Sequence, residues 1–210
     1  MSSNKHLSKK VDEILYDSPT KEQKKILFSP RTGTEMQDAM QGQTPIYEYS
    51  DLCEIASQCG NGGAQLLLGK MFNKSDKNII LLQDPDNMNS GHWISVSRDR
   101  PNKAIYFFSS YGGRPDVEKI QWISKAKLRR SGQLLNIFND SLRACQEQGW
   151  TIHYNDEPYQ VDGDNTATCG IFTVAFLRSG LNPEEFKIET RKLKRQSLNP
   201  AIVYYNKYFA

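Results

Sequence analysis

The feature that most constrains the fold is an apolar segment that directly follows a cysteine and a glycine. Six of the seven residues from Ile171 to Leu177 are apolar. A run with so few polar positions predicts a helix that is buried on most of its sides. The segment Arg178-Ser179-Gly180 then supplies a basic last turn and a glycine stop. A domain that contains such a helix must cover it from several directions.

Cys169 stands where this helix is predicted to begin, and two interpretations are open. The first is a small core residue, because free cysteine is among the most buried residue types. The second is a reactive thiolate, because the unpaired N–H groups and the helix dipole at an N-terminus favour the charged sulfur. Gly170 is expected to leave the space beside the sulfur open for a substrate.

Length and composition set further limits. The chain has 210 residues and a net charge of +3, which fits one sizeable core and does not by itself indicate a nucleic-acid binder. We expect a loop-rich arm with a short helix over residues 1–45, marked by Val11, Ile14 and Leu15, and one domain over residues 46–210. No apolar run reaches the length of a membrane span or signal peptide, so we expect no membrane contact.

The cysteine pattern indicates reduced thiols. The four cysteines form no C-x-x-C pair, and with three histidines they show no zinc spacing. We therefore expect a reducing compartment, no metal and no cofactor. Cys145 falls on the apolar face of a predicted helix and is expected in the core.

The centre of the chain predicts a sheet. Residues 78–83, 92–97 and 104–109 are β-rich, with turn residues over 84–91 and around Pro101. Their short connections predict an antiparallel meander. Two more strands are predicted at residues 151–154 and 159–161. Helices are predicted over residues 52–58, from residue 115 onward with Val117, Ile120 and Ile123 on the inner face, and from Pro183 onward. Residues 64–72 could form either a helix or a strand. The fold class is α+β, with a mixed, largely antiparallel sheet flanked by helices.

A cysteine nucleophile needs a base, usually an imidazole. His6 lies in the polar leader and His153 in a short strand, whereas His92 follows Gly91 at the mouth of a strand. A residue there is held by the sheet and reachable from its end. The other interpretation of His92 is an ordinary strand-edge histidine.

The order of several short motifs resembles a known family. Gly91-His92-Trp93, a strand ending in Phe107-Phe108-Ser109-Ser110-Tyr111-Gly112, then Tyr159-Gln160 and Thr168-Cys169-Gly170 follow one another. This order is similar to cysteine proteases of the adenovirus maturation protease and ubiquitin-like-protein protease type. The resemblance covers roughly residues 78–180 and implies the adenovirus-protease-like fold, with the Cys169 helix at its centre.

The resemblance also implies roles. Cys169 would be the nucleophile and His92 the general base, and Gln160 would donate to the oxyanion together with the Cys169 N–H. Trp93 would pack beside the imidazole and, with Gly170, contact substrate.

Two departures from the family order affect the site. The third catalytic position holds Ser109 instead of an acid or amide, so we expect a Cys-His dyad oriented by Ser109 or water, with Asp116 a candidate substitute. Gln160 and Cys169 are also further apart than usual, so residues 162–165 would bulge outward. Either departure could also mean weak or lost activity.

The size and simple organisation look most like capsid-maturation proteases of double-stranded DNA viruses or virophages. The resemblance thus implies an endopeptidase that cleaves capsid precursors in the virion and the host cytoplasm, as a monomer. The alternatives are a deubiquitinase-like isopeptidase, acyl transfer on the same scaffold, and a catalytically weak binding module. Basic residues over 125–130 and 187–195 could contact DNA, although solvated helix faces are the favoured explanation for them.

Overall fold

The computed structural model describes residues 19–59, 62–160 and 166–210, and all side chains within them except those of residues 87–90 and 121–122. Ten helices and one five-stranded sheet lie in these ranges. The strands are β1 (Ile46–Glu48), β2 (Lys77–Asp84), β3 (Asn87–Asp99), β4 (Ala104–Ser109) and β5 (Thr151–Tyr154). The helices are α1 (Lys21–Phe28), α2 (Gly33–Ala39), α3 (Tyr49–Gln58), α4 (Gly63–Lys74), α5 (Glu118–Trp122), α6 (Lys125–Arg130), α7 (Ile137–Glu147), α8 (Cys169–Ser179), α9 (Pro183–Arg195) and α10 (Pro200–Tyr208).

The strands follow chain order across the sheet. The pairs β2–β3 and β3–β4 are antiparallel, as the short connections predicted, while β1 and β5 add to the two edges in parallel. The predicted α+β class with a largely antiparallel sheet is confirmed. The turn predicted over 84–91 is shorter than expected, because Asp84 already pairs with Asn87 and β3 begins there. The three-residue strand β1 is too short to give a sequence signal.

The two faces of the sheet carry separate cores. Alternate residues of β2, β3 and β4 point to opposite faces. Ile79, Trp93 and Phe108 face the cluster that contains α8, whereas side chains of the other parity pack against α3, α4 and α7. Residues 169–177 are all buried, in agreement with the apolar run.

The N-terminal arm is more ordered than its composition suggested. Within the described part, α1 and α2 each begin with a capping box, Thr20 with Gln23 and Thr32 with Glu35. Side chains of both helices join the same core as α8, so the loop-rich description is wrong for residues 19–45. The patch at Val11, Ile14 and Leu15 lies outside the described residues.

Two further local predictions need correction. The helix expected from residue 115 is split into α5 and α6, and residues 159–160 form no strand. The undecided segment 64–72 lies within α4. Of the helices in the described ranges, none has both the length and the apolar character to cross a bilayer.

Candidate active site

Cys169 is the first residue of α8 and is 9% exposed. Burial by itself would raise the pKa of its thiol. A hydrogen bond with the His92 side chain and backbone hydrogen bonds at Trp93 and Gly170 outweigh burial, so the pKa of Cys169 is lowered. The sulfur is therefore held in an environment that favours thiolate, as the position at a helix N-terminus suggested.

His92 reaches the sulfur from the end of the sheet. Strand β4 ends at Ser109, which pairs with Ile94, so His92 lies on β3 beyond the last residue of its neighbour. Burial opposes the charged imidazole, but the hydrogen bonds and charges of Cys169 and Glu118 prevail and raise the pKa of His92 to about 9. The Nε2 atom faces Ser109 and Glu118, which leaves Nδ1 as the ring nitrogen for the thiol.

Ser109 lies beside the imidazole, with its Oγ 3.0 Å from His92 Nε2. A carboxylate that the sequence reasoning did not single out accompanies it. Oε1 of Glu118 lies 3.2 Å from the same nitrogen and accepts a 2.6 Å hydrogen bond from Ser109 Oγ. Both side chains are buried.

Asp116, named as a candidate substitute, is not part of this group. It accepts hydrogen bonds from the Tyr49 hydroxyl and the Asn139 N–H, and lies 3.6 Å from Lys119 Nζ. Burial raises the pKa of Asp116 despite the nearby lysine charge. These contacts place Asp116 in a separate buried cluster, so the prediction that Asp116 takes the place of the missing acid is wrong.

The periodicity of α5 explains why Glu118 was overlooked. The apolar spacing placed Val117 and Ile120 inward, but they are 48% and 38% exposed, whereas Glu118 and Lys119 are 2% and 1% exposed. Helix α5 thus buries a charged pair, with one member toward His92 and the other toward Tyr49. The only sequence signal for Glu118 is that a carboxylate follows Ser109 within ten residues.

Gln160 lies close to the residues before the nucleophile. Its Oε1 accepts from Ser110 and Thr168, and its Nε2 donates to the Tyr111 hydroxyl and the Thr166 carbonyl. Both amide hydrogens are therefore engaged, so one of these bonds must yield before Gln160 can donate to an oxyanion. Of the intervening insert, residues 161–165 lie outside the described part.

Trp93 lies at the cleft beside Cys169, whereas the surroundings of Gly170 differ from those expected. Trp93 lines the cleft beside Cys169 and donates from Nε1 to the Arg31 carbonyl at 3.0 Å. The aromatic ring of Tyr111 packs against the imidazole of His92, with 4.6 Å between the two ring centroids. The space beside Gly170 is not open, because a Cβ there would lie 2.9 Å from Arg31 Cβ and from Met36 Sδ. That expectation for Gly170 is wrong; the arm fills the space.

A cleft of about 940 Å³ opens at Cys169. The arm forms one wall, and the exposed end of β3 with residues before α8 forms another. The lining includes Pro30, Arg31, Gly91, Tyr111, Gln160 and Ala167. Of the described site residues, Cys169 and Gln160 line the cleft, whereas the buried side chains of His92, Ser109 and Glu118 do not. A substrate in the cleft would thus meet the thiol first.

The remaining cysteines and basic segments differ from this site. Burial raises the pKa of Cys53 to about 12 and also raises that of Cys145. In the described parts of the chain, no group of three or more His, Cys, Asp and Glu residues has an arrangement that could hold a metal ion. Many charges of the two basic segments are paired with acids, as the solvated-face interpretation expects. These pairs join Lys127 to Asp84 and Asp86, Arg130 to Asp86, Lys187 to Asp156 and Glu184, Arg191 to Glu157, and Lys192 to Glu189.

Comparison with known proteins gives distant structural likenesses. No protein-family model matches the chain, and no curated protein matches it. The chain is similar to the SUMO protease Ulp1 with its catalytic cysteine oxidized to a sulfenic acid, at 16% identity and a TM-score of 0.39, over 84% of this chain and 81% of that one. It is also similar to the C-terminal Ulp1 protease domain in complex with Smt3, the yeast ortholog of SUMO, at 12% identity and a TM-score of 0.36, over 98% and 96% of the two chains. Both scores are below 0.5, so the chemistry of the site must be inferred from its own residues.

Proposed function

We propose that the chain is a cysteine endopeptidase in which Cys169 is the nucleophile and His92 the general base. The observation that carries the proposal is the pairing of a buried thiol at a helix N-terminus with an imidazole from β3, which lowers the pKa of the thiol and raises that of the imidazole. Opposite shifts of this kind are those of a thiolate–imidazolium pair.

The proposed reaction has two stages. His92 takes the thiol proton, and the Cys169 thiolate attacks the peptide carbonyl to give a tetrahedral oxyanion. His92 then gives its proton to the leaving amine, which leaves a thioester on Cys169. Water, deprotonated by His92, attacks the thioester and releases the acid and the thiol.

The oxyanion needs hydrogen-bond donors. The Cys169 N–H is the first of α8, and such groups have no acceptor within their own helix. Gln160 supplies the second donor after exchanging the Thr166 carbonyl or the Tyr111 hydroxyl for the oxyanion. Removal of one such donor typically lowers kcat by about 10²–10³-fold.

The proposed substrate is a capsid or other structural precursor protein of a DNA virus, cleaved in the virion and in the host cytoplasm. The family-like motif order supports this choice, and the mostly buried sulfur supports cleavage beside small residues such as a Gly-Gly pair. A ubiquitin-like tail would meet the same requirement, so an isopeptidase remains the second candidate.

Two fluorogenic substrates test the proposal. One is an extended peptide with an internal Gly-Gly, and the other a ubiquitin-like protein with a C-terminal extension. We expect cleavage of the internal peptide by the intact chain and none by Cys169→Ala. Exclusive processing of the ubiquitin-like precursor would favour the isopeptidase, and equal cleavage by Cys169→Ala would refute the assignment of the nucleophile.

A further inference from the structure

Glu118 is a charged group enclosed by the protein. Its side chain is 2% exposed, and Oε2 accepts no hydrogen bond from the described residues. A buried carboxylate is costly unless an opposite charge or hydrogen bonds compensate it. The partners of its other oxygen, Oε1, are Ser109 Oγ at 2.6 Å and His92 Nε2 at 3.2 Å. An imidazolium at His92 is the cation that these contacts provide.

The direction of the hydrogen bonds follows from the number of protons. A carboxylate has no hydrogen to give, so the single Ser109 hydroxyl hydrogen points to Glu118. The serine oxygen must then accept from His92 Nε2, which fixes the hydrogen of the neutral imidazole on that nitrogen. Nδ1 is thereby kept as the acceptor for the Cys169 proton.

The backbone is shaped to admit the glutamate. Gly112 has φ +71°, a left-handed conformation that suits glycine. At Gly113 a Cβ would lie 2.8–3.0 Å from side-chain atoms of Glu118. The two glycines after Tyr111 thus turn the chain and leave room for the carboxylate.

The neighbours of Glu118 in sequence anchor its helix from the other side. Lys119 Nζ donates to the Leu135 carbonyl and the Tyr49 hydroxyl, and lies 3.6 Å from Asp116. Buried polar clusters of this kind fix one arrangement when their members are satisfied. The cluster therefore holds α5 with Glu118 toward the imidazole.

We infer that Glu118 is the acidic positioning residue of the proposed protease, which acts on His92 directly and through Ser109 and replaces the acid expected at position 109. This inference rests on the proposed function and adds a member to its site. Among the described residues, the groups that face His92 include Cys169, Glu118, Ser109 and the Tyr111 ring. Cys169 is the titratable group of that set that forms the bond to the substrate. Glu118 forms no such bond, and its negative charge stabilises the imidazolium of His92.

The test uses alkylation of Cys169 by iodoacetamide, measured without substrate over a range of pH. Glu118→Gln keeps the shape and removes the charge; the exposed Glu147→Gln is the matched control. We expect Glu118→Gln to slow alkylation near pH 6 about tenfold or more, because a charge-assisted bond is roughly twice as strong as a neutral one. Near pH 10 the rates should converge, since thiolate then forms without imidazolium. A misfolded variant would also expose Cys53, which is buried in the folded chain, so alkylation at Cys53 identifies misfolding.

Three further variants keep the inference falsifiable if Glu118→Gln folds poorly. Ser109→Asp combined with Glu118→Gln returns a carboxylate to the imidazole and should restore alkylation near pH 6. Gly113→Ala should push Glu118 aside and reproduce the slow alkylation. Ser109→Ala keeps the direct 3.2 Å contact and should lose less than Glu118→Gln. Wild-type alkylation profiles for Glu118→Gln and Gly113→Ala would overturn the inference whether or not a peptide is cleaved.

Discussion

The indole of Trp93 donates a 3.0 Å hydrogen bond to the carbonyl of Arg31, which joins the strand that carries His92 to the N-terminal arm. A second tie is the 2.7 Å bond from the Ala167 N–H to the Leu27 carbonyl, just before the nucleophile helix. The arm is thus attached to both elements that supply the Cys-His pair. The arm lines the cleft at Cys169, and substitutions where the arm contacts α8 should change the stability of the protein.

Gly170 tests this packing. Alanine at a helix position normally adds stability, by up to about 1 kcal/mol over glycine. At Gly170, however, the new Cβ would lie 2.9 Å from Met36 Sδ and Arg31 Cβ, and overpacking costs about 1–3 kcal/mol. We expect Gly170→Ala to lower the urea midpoint.

The control is Gly69→Ala in α4, where a Cβ meets nothing within 4 Å. This variant should raise the midpoint slightly. If both substitutions stabilise the protein, the side chains of Arg31 and Met36 do not fill the space beside Gly170, and this part of the account is wrong.

The activity should depend on pH in a predictable direction. The active form holds the Cys169 thiolate and the His92 imidazolium together. As pH rises through the lowered pKa of Cys169 the thiolate forms and activity increases; as pH rises through about 9 the imidazolium is lost and activity declines. A kcat/KM profile that declines already between pH 6 and 7, near the ordinary histidine value of about 6.5, would be inconsistent with this pair.

Gln160 can be tested by removing its donor without adding a charge. Gln160→Met keeps a side chain of similar length but loses the N–H groups, together with the oxygen that accepts from Ser110 and Thr168. As an oxyanion donor, Gln160 should contribute to kcat, which we expect to fall about 10²–10³-fold with little change in KM. Cys169 alkylation without substrate should change far less than kcat, because no oxyanion forms in that reaction. A large change in alkylation instead would indicate a structural role.

The sheet and the buried helix were predictable because their signals are local. Strand periodicity and the apolar run after Cys169 directly reflect burial of consecutive residues. The arm was misjudged because two short helices with weak hydrophobic patterns are stabilised mainly by packing on α8, which the sequence does not display.

The candidate site was predictable only where a residue follows a recognisable motif. Cys169, His92 and Ser109 were found from motif order, and the structure brings them together. Glu118 was missed because α5 buries Glu118 and Lys119 while exposing Val117 and Ile120. Such an inversion depends on partners distant in sequence, here Tyr49 for Lys119 and His92 for Glu118.

The most direct measurement of the central claim is covalent capture of the nucleophile. A peptide ending in Gly-Gly and carrying a vinyl ester in place of the scissile bond is incubated with the protein, and the adduct is mapped by mass spectrometry. We predict one adduct, on Cys169, that is lost in His92→Ala, while Cys53, Cys59 and Cys145 stay free. Labelling of another cysteine, or equal labelling of Cys169 without His92, would contradict the account.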